Sequence, residues 1–156
     1  MTLPFPLPVP LADNSIRIEV QGVAQPAGSK RPFKRGDGSL GVRDANDNAR
    51  VWKNQVADKA ALAMYDRDML CGPLAMLVTF YVRRPRSHYG TGRNENVLKA
   101  NAPYYPSTRP DTLKLTRAVE DALTGIVYRD DAQISMQLTI RRYDETPRVT
   151  VLIGEI

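Results

Sequence analysis

Cysteine, histidine and tryptophan occur once each in this chain of 156 residues, and phenylalanine three times. The single cysteine, Cys71, permits no internal disulfide and fits a reducing compartment. With His88 the only histidine, a zinc centre built from cysteine and histidine is excluded. Long apolar runs are missing as well. The longest, Leu74 to Val82 (LAMLVTFYV), falls far short of the roughly 20 residues that a membrane-crossing helix needs. The opening MTLPFPLPVPLADN is apolar, but it has no basic start and its prolines oppose a helical signal segment. Residues 1–15 therefore read as an extended proline-rich arm on a soluble, cytoplasmic protein without a membrane partner. The remainder, 16–156, is long enough for one respectable core and reads as a single domain.

Charge is what the chain has in excess. Lysine and arginine number 22 against 17 aspartates and glutamates, for a net charge of +5 and a pI near 9.5. Such a body attracts polyanions, although many basic proteins never touch nucleic acid.

Hydrophobic periodicity outlines a mixed α/β (α+β) domain, a small sheet with two main helices. Ile16, Ile18 and Val20 alternate with Arg17 and Glu19, the period of a half-buried strand. After the turn chemistry of Gln25–Ser29 the chain returns through KRPFKR and the glycine-rich stretch 36–41, a hairpin or flexible loop. Lys30, Arg31, Lys34 and Arg35 make this return basic enough to straddle a sugar-phosphate backbone, although a solvated face explains it equally well. From Asp47 to Tyr65 the spacing of Trp52, Val56, Ala60, Ala63 and Met64 predicts a helix, capped at Asn46 or Asp47, with Trp52 in the core. Leu74 to Val82 reads as a central strand.

Residues 83–110 lack apolar periodicity and are rich in Pro, Gly, Asn and Tyr. They predict a long loop whose Arg83, Arg84, Arg86 and Arg93, interleaved with tyrosines, suit gripping a DNA strand; the alternative is a disordered surface loop.

The helix predicted over Thr112–Thr124 gathers Leu115, Ala118, Val119, Ala122 and Leu123 on one side and Leu113, Arg117, Glu120 and Thr124 on the other. Asp111 stands at its start, where it suits either a metal site or a helix cap worth ~1 kcal/mol. Ile134, Met136, Leu138 and Ile140 then alternate with polar residues, so the even positions are expected to face the core, with Asp131 on the polar side. A last strand, Val149–Ile153, is expected to pair with this one across the turn at Asp144–Pro147. If Thr124 and Gly125 make a short connection, Asp111 and Asp131 converge within a few ångströms. Hard carboxylate oxygens from Asp111, Asp130 and Asp131 would suit Mg²⁺.

The order QPAGSKRPF, helix, apolar strand, tyrosine- and proline-rich loop, then PD…LTRAVEDALTGIVYRDDAQI resembles the RusA family of Holliday-junction resolvases, many of them phage-borne. The resemblance implies a small homodimer that binds four-way or branched DNA junctions. It implies paired, Mg²⁺-dependent nicks, with Mn²⁺ able to substitute, in recombination, repair or phage replication. It places the family's first aspartate on Asp111, its late aspartates on Asp130 and Asp131, and its helical basic residue on Arg117. The family's second aspartate is replaced by Leu113. Glu120, two turns along the same face, is the candidate replacement carboxylate. The rival reading is a cleavage-impaired junction-binding protein with a structural or regulatory role.

Overall fold

A computed structural model describes residues 11–28, 30–44 and 47–156. Positions 1–10 of the expected arm, and the proposed cap at Asn46, lie outside the described residues. The elements are β1 (Ile16–Gln21), β2 (Lys30–Lys34), β3 (Leu40–Asp44), α1 (Asp47–Ala63), β4 (Leu74–Val82), α2 (Thr112–Leu123), β5 (Ile134–Tyr143) and β6 (Arg148–Glu155). β1, β6, β4 and β5 form one sheet in that order, and β2 and β3 form a separate hairpin. This is the small mixed α+β domain that the periodicity predicts.

β4 is central because it is apolar on both faces: its first seven residues are all buried. It pairs in parallel with β5 and antiparallel with β6. The expected β5–β6 hairpin is therefore not formed; β6 lies between β4 and β1, and Asp144 N–H donates to the Val82 carbonyl where the connection passes the end of β4. A strand that hydrophobic is best satisfied with a neighbour on each side, and this ordering supplies both.

The core lies between one face of the sheet and the two helices. Ile16, Ile18, Val20, Val149, Val151, Ile153, Met76, Val78 and Phe80 meet Trp52, Val56 and Ala60 of α1 and the whole predicted stripe of α2. Trp52 is 3% exposed, as expected of a core residue.

The alternation of β5 is inverted relative to expectation. A bulge shifts the register, so that Leu74 pairs with Ile134 but Ala75 pairs with Met136. Ile134 packs on the core, whereas Gln137, Thr139 and Arg141 share the helix face with Met76, Val78 and Phe80. Met136, Leu138 and Ile140 line the opposite face, where no helix among the described residues packs.

The hairpin β2–β3 is tight rather than flexible. Arg35 and Ser39 close its turn around Gly38 (φ 86°), and Asp37 accepts from the Ser39 amide and hydroxyl. Phe33 lies over Gly41, where any Cβ would come within 2.7 Å of the ring.

Candidate active site

Asp111 stands at the N-cap of α2 in extended geometry, yet its carboxylate makes no capping hydrogen bond. It lies 3.3 Å from Lys114 Nζ, both side chains being more than half exposed, a pair worth little energetically. The cap is thus not what Asp111 does here. Leu113 is 81% exposed, a position at which leucine gains nothing from the monomer's core. Arg117 is exposed on the same side and forms no ion pair with the described residues. Glu120 is half-buried, and its carboxylate accepts a short hydrogen bond from Gln137.

The segment after α2 is not the short connection expected from Thr124 and Gly125. Gly125 turns at φ 79°, and Val127 and Tyr128 are fully buried, Tyr128 bridging to Leu70. The Tyr128 hydroxyl donates to the Glu120 carbonyl, and burial pushes its pKa well up, with Glu120, Asp131 and Asp121 adding to the rise. Asp131 then falls in a 3-10 turn, Asp131–Gln133, with Asp130 as its N-cap, before the strand rather than within it. Asp130 accepts from Ala132 N–H at 2.9 Å, and Gln133 Oε1 accepts from the amides of Arg129 and Asp130. Gln133 Nε2 reaches the carbonyls of Leu70 and Gly72. Gln133, which sequence reasoning passed over, is therefore the residue that locks this turn. Its only signal was a glutamine three places after a capping aspartate. Asp131 is left exposed, with no side-chain partner among the described residues.

The expected convergence of Asp111 and Asp131 is not found within one subunit. α2 runs antiparallel to β5: Glu120 bonds Gln137, Thr116 Oγ1 lies 3.1 Å from Thr139 Oγ1, and Thr112 borders a cleft with Leu138 to Arg141. Asp111, nine residues before Glu120, lies ~14 Å to one side of the Glu120–Gln137 contact. Asp131, six residues before Gln137 through strand and 3-10 turn, lies up to ~16 Å to the other. The two side chains thus sit toward opposite ends of α2, whose twelve residues span roughly 18 Å. Among the described residues no three His, Cys, Asp or Glu side chains could hold a metal ion. Nor does Glu120 reach Asp111, since Gln137 holds it elsewhere on the helix.

The basic candidates fall into two groups. Arg31, Lys34 and Arg35 are exposed on the hairpin, with Lys30 at its start, although the Lys30 side chain lies outside the described residues. The 83–110 segment is ordered, with two 3-10 turns, a bridge between Tyr89 and Leu98, and Lys99 Nζ donating to the Ser87 carbonyl. It walls a cavity of ≈ 610 Å³ lined by Arg83, Arg84, Arg86, Tyr89 and Tyr143 among others. Arg84 lies 4.2 Å over the Tyr143 ring and donates to the Pro103 carbonyl. Arg86 pairs with Glu95 at 3.8 Å, and Arg93 is exposed nearby in sequence. No helix among the described residues is long and apolar enough to cross a membrane.

Residues 24–154 match the family described as Endodeoxyribonuclease RusA, and the chain belongs to that family. Family membership gives the class of protein: an endodeoxyribonuclease of the Holliday-junction resolvase type, whose members bind branched DNA and are generally metal-dependent. The chain is also 29% identical over 143 residues to YqaN of Bacillus subtilis (strain 168), described as an uncharacterized protein, covering 92% of this chain and 98% of that one.

Proposed function

We propose that this protein resolves four-way DNA junctions by paired nicks as a homodimer, in the cytoplasm of a bacterial or phage-infected cell. The observation that carries the reading is the exposed carboxylate of Asp111, not used as a helix cap, at the position where the RusA resemblance puts its first aspartate. Because Asp111 and Asp131 stand at opposite ends of α2, we assign each nicking site to two subunits: Asp111 from one, and Asp131 of the partner subunit. Asp130 serves as a positioning residue that fixes the turn presenting Asp131. Mg²⁺, with Mn²⁺ as substitute, is the cation that hard carboxylate oxygens brought together in this way would select.

Arg117, exposed on α2, stabilises charge on the phosphoryl oxygens in this reading. Lys30, Arg31, Lys34 and Arg35 of the hairpin, and Arg83, Arg84, Arg86 and Arg93 of the 83–110 segment, hold the junction arms through phosphates, which position DNA without reading its sequence.

Leu113 favours a second reading, a junction-binding protein impaired in cleavage. A labelled mobile four-way junction, incubated with Mg²⁺ or Mn²⁺ and compared with linear duplex, separates the two. Symmetric nicks that disappear in Asp111→Asn support the resolvase. Tight junction binding without nicks in either metal supports the binding protein.

A further inference from the structure

We propose that the cavity of ≈ 610 Å³ beyond the ends of β4 and β5 is a pocket for one unpaired nucleobase, of the kind that carries an exocyclic amino group. The inference rests on the reading above for its ligand, DNA. To the phosphate contacts of the 83–110 segment it adds a contact to a base.

β4 and β5 run parallel and finish together, Val82 opposite Tyr143, so the chain leaving each strand walls the same space. Crevices beyond the carboxyl ends of parallel strands are where open α/β sheets hold their ligands. The volume is that of a small-molecule site, which runs from about 300 to 1,000 Å³. Thr112 borders Ile140 and Arg141 near the same end of β5, so the cavity and Asp111 share one end of the domain.

The lining is poorly matched to a phosphate alone and suits a base. Asp144 and Glu145 stand in the wall with the arginines, and carboxylates repel a phosphate that arginines attract. A base is neutral, and its amino protons are what a carboxylate accepts. Asp144 is already engaged by Arg148 and by the Thr146 amide. Glu145 is exposed and has no side-chain partner among the described residues, so it is the acceptor left for a ligand. Arg84 supplies the flat surface. Its guanidinium lies 4.2 Å over the Tyr143 ring and donates to the Pro103 carbonyl at 2.8 Å, while His88 meets Tyr143 edge-on at 5.5 Å. A guanidinium plane fixed in this way stacks a base on its open side, as proteins that bind single strands do. Tyr89 adds an aromatic wall, and Asn96 an amide that both donates and accepts. Arg83, exposed and without a partner among the described residues, is left for the phosphate beside that base. Thymine presents a carbonyl where cytosine presents an amine, and is disfavoured at Glu145. An unpaired base enters at least cost, because no duplex pairing has to be broken.

The test requires neither a junction nor a metal. Labelled short single strands of oligo-dC, oligo-dT and an abasic strand with the same number of phosphates are titrated with the full chain at neutral pH and followed by fluorescence anisotropy. Oligo-dC should bind at least about fivefold more tightly than oligo-dT and than the abasic strand. Because all three carry the same phosphates, these ratios should hold while every affinity falls with added salt. Arg84→Lys, which keeps the charge and loses the plane, should remove the advantage over the abasic strand. Glu145→Ala, at an exposed position, should level oligo-dC with oligo-dT and keep both above the abasic strand. Equal binding of all three strands, or of none, overturns the proposal, as does a base preference that survives both substitutions. Junction nicking by a protein without the preference would overturn the pocket while leaving the resolvase reading standing. A protein that shows the preference and never nicks junctions would keep the pocket and remove the resolvase reading.

Discussion

Mixing two inactive variants tests whether the nicking site is shared between subunits. Asp111→Asn and Asp131→Asn are each expected to cut a four-way junction at least about a hundredfold more slowly than wild type, as the loss of a metal-site carboxylate should cost no less than the loss of a supporting residue. Within one chain the two carboxylates stand toward opposite ends of α2, so the proposed site takes one from each subunit. In a heterodimer of the two variants, however, the intact Asp111 of one meets the intact Asp131 of the other, and the second site carries both substitutions. Refolded at equal amounts, half of the dimers are mixed and each has one sound site of two. The mixture should recover about one quarter of wild-type nicking, as single nicks rather than paired cuts. The assay is a supercoiled plasmid with an extruded cruciform, in which single nicks give relaxed circles and paired cuts give linear DNA. A mixture no more active than either variant alone, beside an active wild type, would refute the shared site.

Restoring the carboxylate that the family resemblance expects, through Leu113→Asp, should raise the cleavage rate in Mg²⁺; a metal titration of junction cleavage that shows no gain counts against Leu113 as the limiting residue. Arg31→Ala with Arg35→Ala should weaken junction binding and lower the slope of log K against log salt by about 2, measured by fluorescence anisotropy at several salt concentrations. Phe80→Ala, at a side chain with no exposure, should cost about 3–5 kcal/mol in urea unfolding, because a cavity opens between the sheet and the helices. Asp144 is held below the usual carboxylate range by its hydrogen bond to Arg148 and by the Thr146 amide. Its folded pKa being the lower, its stabilisation is present above the unfolded value and fades as pH falls through the folded one. The stability gap between wild type and Asp144→Asn should therefore be full near neutral pH and close below about pH 4, as thermal melts across that range would show.

Local pattern was enough to determine β1, β4, α1 and α2, because each is set by the spacing of its own apolar side chains over a few turns or a few pleats. The stripe Leu115, Ala118, Val119, Ala122 and Leu123 is buried as its 3.6-residue period requires. The basic hairpin and the opening position of Asp111 were legible for the same reason. Three features were decided only by tertiary structure. β6 chose β4 over β5 because the most apolar strand takes two neighbours, a competition between distant segments that no local window contains. The alternation of β5 was inverted by one bulge, since a single extra residue exchanges the faces of a strand whose period is two. The separation of Asp111 from Asp131 followed from the direction of α2 over β5. Their spacing in sequence bounds how far apart two side chains can be, but the path of the chain between them, here through the buried Tyr128 and the turn locked by Gln133, determines where they lie.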